Sequence, residues 1–115
     1  MTPFPDDVEV SPEEVQALQA AGEIELIDVR EPYEHEQSRI EGARHLELER
    51  LASQAETIDR DRPVVFYCRL GARSGMAANA FLRAGYRAHS MAGGLERWDA
   101  EGRPLVPEGA GVAPH

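Results

Sequence analysis

Pro63-Val64-Val65-Phe66-Tyr67-Cys68, followed at once by Arg69-Leu70-Gly71-Ala72-Arg73-Ser74, is the stretch on which the fold of this chain turns. Its first half is an unbroken apolar run of strand length, rich in β-branched and aromatic side chains, as expected of a strand covered on both faces. It predicts a central strand ending on Cys68. From Ser74 the apolar positions Met76, Ala77, Ala80, Phe81 and Ala84 recur on one helical face, and Gly85 supplies a left-handed stop. A strand therefore runs through a short loop into a helix, with a cysteine at the strand's carboxyl end.

The same alternation extends in both directions. Upstream, Val8 to Val10 reads as a short strand, and Ser11-Pro12-Glu13-Glu14 forms a capping box for a helix that ends at Gly22. Ile24 to Asp28 reads as a strand, closed by Glu31-Pro32, which opens a short helix. Arg44 to Leu46 reads as another short strand. Leu48, Leu51, Ala52, Ala55 and Ile58 then recur at helical spacing and predict a third helix. Downstream, Arg87 to Met91 gives a last strand and Leu95 to Glu101 a last helix. Strands alternating with helices define an α/β fold of three layers, a mostly parallel central sheet with helices on both faces. One domain is expected over residues 1–104, and the Gly/Pro-rich residues 105–115 read as a flexible C-terminal tail. In such sheets ligands bind at the carboxyl ends of strands. Two segments sit there: Asp28-Val29-Arg30-Glu31 and Cys68 to Arg73.

Composition removes several chemistries. At 115 residues and 42% apolar content the chain suits one folded core. Its longest apolar run, Val64 to Cys68, is far short of the roughly 20 residues of a membrane span, and the opening MTPFPDDVEV lacks a signal layout. No membrane association and a cytoplasmic location are expected. The absence of lysine excludes Schiff-base chemistry and a P-loop lysine. The single cysteine, Cys68, excludes an internal disulfide, a resolving-cysteine cycle and a thiolate zinc site. His35, His45, His89 and His115 show no paired ligand spacing, so neither a metal nor any other cofactor is expected. Net charge is −9, divided unevenly: residues 1–61 hold 5 Arg against 17 acids, residues 62–115 hold 7 Arg against 4. Nucleic acid is not an expected partner, while the later half suits small anions.

A lone cysteine ending an apolar strand is most often a small buried hydrophobe. Here its neighbours argue for chemistry. The loop before the helix must curl with its amides inward, Gly71 allows the tight turn, and the helix beginning near Ser74 adds the positive end of its dipole. Arg69 and Arg73 bring formal charge. Each feature favours thiolate over thiol, so Cys68 is expected to act as a nucleophile at neutral pH without a general base. Asp28 and Arg30 have two readings: they pair with each other or cap a turn, or they brace the cysteine loop from the adjacent strand end. Trp98 is expected to pack the last helix on the sheet, with Gly93-Gly94 making the turn before it.

Three motifs in this order resemble the single-domain rhodaneses, a sulfurtransferase family, over roughly residues 5–104. They are IDVREPYEHEQSRIEGARHL (Ile27 to Leu46), the loop CRLGAR (Cys68 to Arg73) and GGLERW (Gly93 to Trp98). One departure is Ser38-Arg39 before Ile40, where the family often has Gly-His. The resemblance implies that Cys68 takes a sulfane sulfur from a small anionic donor such as thiosulfate, forming a persulfide. Cyanide, a cellular thiol or a sulfur-carrier protein would then remove it. It implies that Arg69, Leu70, Gly71, Ala72, Arg73 and Ser74 bind substrate, with loop amides cradling the persulfide and both guanidiniums holding the donor. The family's mercaptopyruvate-using branch tends to have Gly directly after the cysteine and no loop arginine, so Arg69 and Arg73 lean toward thiosulfate. Two alternatives stand beside it. A phosphatase or arsenate reductase would place five residues between cysteine and arginine, where this chain has four. A non-catalytic binding or sulfur-carrier module would keep the fold without turnover.

Overall fold

The computed structural model describes residues 7–115. Five strands and five helices alternate: β1 (Glu9–Val10), α1 (Pro12–Ala20), β2 (Glu25–Asp28), α2 (Pro32–Gln37), β3 (Arg44–His45), α3 (Leu51–Gln54), β4 (Val64–Tyr67), α4 (Ala72–Arg83), β5 (Ala88–Met91) and α5 (Gly94–Ala100). The strands form one sheet in the order β1-β5-β4-β2-β3, with every pairing parallel. The apolar PVVFYC run is the middle strand. Val64, Val65, Phe66 and Tyr67 are all fully buried, because a strand with neighbours on both sides and helices on both faces has no solvent side.

Strand periodicity divides the core in two. Val64 and Phe66 join Ile27, Leu51, Ile58 and Phe81 on one face, under α3 and α4. Val65 and Tyr67 join Val15, Leu26, Met91, Leu95 and Trp98 on the other, under α1 and α5. Trp98 packs the last helix as expected, and its indole N–H donates to the Pro104 carbonyl at 2.8 Å. Ser11 forms the anticipated capping box, exchanging hydrogen bonds with Glu14. A second capping box opens α2, between Glu31 and Glu34.

Three expectations change. The helix read from Leu48 to Ile58 is broken: a 3-10 turn, Leu48–Arg50, leads into the single α-turn of α3, and a second 3-10 turn, Ala55–Thr57, follows. Ser53 and Thr57 donate their hydroxyls to the carbonyls of Arg50 and Gln54, three residues back, a local competition that weakens regular helix. The helix after the cysteine begins at Ala72 rather than Ser74, because Gly71, at φ 118°, turns the chain in the left-handed region one residue earlier.

Residues 105–115, read as a flexible tail, lie against the domain. Val106 and Arg39 exchange backbone hydrogen bonds at 2.9 and 2.8 Å, the Ser38 hydroxyl donates to the Gly111 carbonyl at 2.8 Å, and the Tyr33 hydroxyl donates to the Pro114 carbonyl at 2.9 Å. Leu105 and Ala113 are buried. The apolar residues spaced through this Gly/Pro-rich stretch give it a face to bury. Ser38-Arg39, where the sequence departs from the rhodanese pattern, is one of its attachment points. Among the described residues no helix is long and apolar enough to cross a membrane.

Candidate active site

β4 delivers Cys68 to the carboxyl edge of the sheet, between the ends of β2 and β5. The Val29 N–H donates to the Tyr67 carbonyl at 3.0 Å, setting the Asp28-Glu31 loop beside the cysteine loop. From the other side, α5 docks on the first two peptides of that loop: Leu95 N–H donates to the Cys68 carbonyl at 2.9 Å and Glu96 N–H to the Arg69 carbonyl at 3.1 Å. The approach is so close that a Cβ on Gly94 would lie 2.3 Å from the Arg69 oxygen and 2.6 Å from the Cys68 oxygen. This is why the second glycine of the third motif, Gly94, has no side chain. With these two carbonyls engaged by α5, the amides further round the loop are left for the sulfur.

Two amides point at it. Gly71 N–H donates to Cys68 Sγ at 3.1 Å and Ser74 N–H at 3.4 Å, and the Ser74 hydroxyl lies 3.5 Å away. Ser74 is the third residue of α4, so its N–H is one of the free donors at a helix start. Its hydroxyl also lies 2.7 Å from that of Ser90 on β5, both side chains buried. The Ser74 hydroxyl donates to the Gly71 carbonyl at 3.2 Å; having one proton, it can serve the sulfur only in place of that bond.

Cys68 is only 1% exposed, yet it contributes to the wall of an open pocket of about 340 Å³ together with Arg69, Leu70, Ala72, Arg73 and His115. Leu70 is 60% exposed at the rim. A small ion entering this pocket meets residues of the cysteine loop, Cys68 among them. A second pocket shares Arg73 and His115 and is otherwise lined by Val29, Glu31, Glu47, Leu48 and Glu49.

Both arginines are partnered. Arg73 donates through both terminal nitrogens to the two oxygens of Glu34, at 2.7 and 3.0 Å. Burial raises the affinity of the Glu34 carboxyl for its proton, but the bonds from Arg73 and the Glu31 N–H outweigh this and hold it below the usual value. Arg73 in turn is held above its ordinary value, chiefly by Glu34. Arg69 reaches Glu96 at 3.0 and 2.9 Å. Both guanidiniums expected to hold the donor are thus engaged in ion pairs in this structure.

Asp28 and Arg30 adopt the first of their two readings. Arg30 donates to both Asp28 oxygens at 2.9 and 2.7 Å and to the Ser38 carbonyl at 2.7 Å, and both side chains are fully buried. Burial pushes Asp28 up, while hydrogen bonds from His35 and Arg30 bring its pKa below the ordinary one. Neither residue bonds to residues 68–74. Their link to the cysteine loop is indirect, through α2, which carries Glu34. His35 stacks on His45 at 4.4 Å, and its Nδ1 lies 2.8 Å from Asp28. Tyr67, deeply buried, has its phenol pushed up by desolvation and accepts the Ile40 N–H.

Sequence reading missed Glu34, Ser90 and Glu96. Glu34 carried a signal as the third helical residue after Glu31-Pro32, and Glu96 lay inside the quoted GGLERW motif. Ser90 carried none, because only sheet order places the end of β5 beside β4. Glu31, Glu34 and His115 bring ligand atoms within 4.8 Å of one another. Both Glu34 oxygens are already taken by Arg73, so a cation there would compete with a guanidinium.

Comparison with known proteins agrees with this geometry. Residues 11–101 match the family model of the rhodanese-like domain, and the chain belongs to that family. A protein named sulfurtransferase from Allochromatium vinosum is 38% identical over 96 residues, covering 82% of this chain and 90% of the relative. The thiosulfate sulfurtransferase GlpE of Coxiella burnetii is 33% identical over 79 residues, covering 68% of this chain and 74% of the relative. A crystal structure of a rhodanese-related protein from Thermoplasma volcanium superposes with a TM-score of 0.81 at 24% identity, covering 89% of this chain and all of that one.

Proposed function

We propose that this protein is a thiosulfate-type sulfurtransferase working through a persulfide on Cys68. The observation that carries the reading is the aim of two main-chain N–H groups, of Gly71 and Ser74, at the sulfur of a cysteine that lines an open pocket. Preorganised donors of this kind stabilise negative charge without reorganisation at the moment of reaction. In the first half-reaction the Cys68 thiolate attacks the outer sulfur of thiosulfate. The donor's S–S bond breaks, its electron pair leaves with sulfite, and a new Sγ–S bond forms. In the second, a thiol or sulfur-carrier protein acceptor, or cyanide in an assay, attacks the outer sulfur as its thiolate or anion. The Sγ–S bond breaks and its electrons return to Sγ. The sulfurtransferase names of relatives at 33–38% identity support the class of reaction.

The test is an intact mass after incubation with thiosulfate. Gain of one sulfur atom, absent in Cys68→Ala and discharged by cyanide as thiocyanate, is the expected result. No adduct on the wild-type protein, together with no thiocyanate formed from cyanide, would instead favour a binding module.

A further inference from the structure

The pocket around Cys68 carries two arginines, and each is matched by one carboxylate, but the two matches differ in kind. Glu34 is fully buried and grips Arg73 through both oxygens. Its position is set by the capping box of α2, so it is part of the frame. Glu96 is 39% exposed, and only its Oε2 meets Arg69, itself 30% exposed and lining the pocket. The Glu96 backbone is pinned, because its N–H donates to the Arg69 carbonyl at 3.1 Å. This bond keeps the Glu96 backbone beside Arg69, within reach of its guanidinium.

We infer that Glu96 tunes the donor preference of this site: by neutralising Arg69 at the pocket, it weakens the pull on dianionic sulfane donors, thiosulfate included, more than the pull on less charged ones. This rests on the sulfurtransferase reading above. With Glu34 and Glu96 in place the two guanidiniums leave no surplus positive charge, and the Cys68 thiolate itself repels an incoming anion. The energy of placing a donor beside Arg69 scales with donor charge. Removing the charge of Glu96 therefore helps a dianion about twice as much, in free energy, as a monoanion. Glutamine keeps the shape and an oxygen for Arg69, so the loop stays docked on α5.

The experiment compares donor kcat/KM for thiosulfate, a dianion, and benzenethiosulfonate, a monoanion bearing the same kind of transferable sulfur, with cyanide as acceptor. Glu96→Gln is expected to raise kcat/KM for thiosulfate about three- to tenfold, and for benzenethiosulfonate by roughly the square root of that factor, at low ionic strength. Added salt should shrink both gains. In the Arg69→Gln background the Glu96→Gln gain should persist, because the carboxylate repels the donor with or without Arg69, whereas a role limited to positioning Arg69 would lose it. Equal effects on both donors, or none, would overturn the role of Glu96. Formation of the sulfur adduct on the wild-type protein is scored separately, so loss of the underlying reading is distinguishable from loss of this one.

Discussion

Glu34, on the short helix α2, meets both terminal nitrogens of Arg73, on α4, at 2.7 and 3.0 Å across 39 residues of chain. The pair ties the loop after β2 to the first turn of the helix that carries Ser74, one of the donors to Cys68. It is a cross-brace between the two loops that meet at the carboxyl edge of the sheet. Cutting it at Glu34 leaves Arg73 without its partner and loosens the helix start that aims Ser74 N–H. Glu34→Gln is expected to lower the rate of persulfide formation about tenfold or more and to lower stability by about 3 kcal/mol, the usual scale for breaking a buried pair. Urea unfolding and stopped-flow loading with thiosulfate measure the two effects. An unchanged loading rate would remove Glu34 from the site.

Acid should unfold this protein earlier than its exposed carboxylates alone would dictate. Asp28 and Glu34 both have folded pKa values below the ordinary carboxylate value of about 4. In the window between the two values the unfolded chain binds more protons, so stability rises with pH there. Their contribution is complete above the unfolded value and is lost as pH falls through the folded ones. Urea midpoints measured from pH 6 down to pH 3 should drop steeply, and Asp28→Asn should start lower and show a flatter slope. A variant as steep as the wild type would refute the assignment to Asp28.

Gly94→Ala tests the docking of α5 on the cysteine loop. The added carbon would meet the Arg69 and Cys68 carbonyls at 2.3 and 2.6 Å, and Gly94 also sits at φ +61°, so backbone must move. A displacement of about 1 Å at a reacting group costs on the order of 100-fold in rate. Sulfur transfer should fall by about that factor in protein that remains folded by circular dichroism. Activity within twofold of wild type would mean that the loop is positioned without α5.

Ser74→Ala removes the hydroxyl near Sγ and strands that of Ser90, while leaving the Ser74 N–H donor intact. A hydrogen bond to a charged group is worth about 1.5–3 kcal/mol, so loading should slow by roughly ten- to 100-fold. The fold of Ser90→Ala should be less affected than its rate, which is expected to fall only severalfold, because Ser90 acts on the sulfur through Ser74. If Ser90→Ala proved the more damaging of the two for loading, the indirect role of Ser90 through Ser74 would be wrong.

Arg30→Ala separates bracing from folding. Removing the guanidinium leaves the fully buried Asp28 with His35 as its remaining side-chain partner and frees the Ser38 carbonyl. A loss of about 3–5 kcal/mol is expected. Because Arg30 makes no bond to residues 68–74, persulfide formation per folded molecule should fall less than in Glu34→Gln. The reverse order would restore Arg30 as a direct brace.

What the sequence determined by itself was local and periodic. The unbroken run from Pro63 to Cys68 reads as a strand buried on both faces, and it supplies the middle strand, fully covered. Ser11 and Glu14 cap α1 because their spacing matches one helical turn. Cys68 followed by Gly71 and a helix was enough to place the sulfur in an amide-lined turn. Tertiary structure alone decided which charges meet. Whether Arg69 and Arg73 face a substrate or a carboxylate depends on Glu96 and Glu34, which lie 27 and 39 residues away, and no local pattern encodes such pairings. The same holds for Ser90, which reaches Ser74 only because β5 pairs with β4, and for residues 105–115, whose few apolar side chains find a surface only once α2 and the sheet are in place. Periodicity reports which side of an element is buried; it carries no information about the element packed against it.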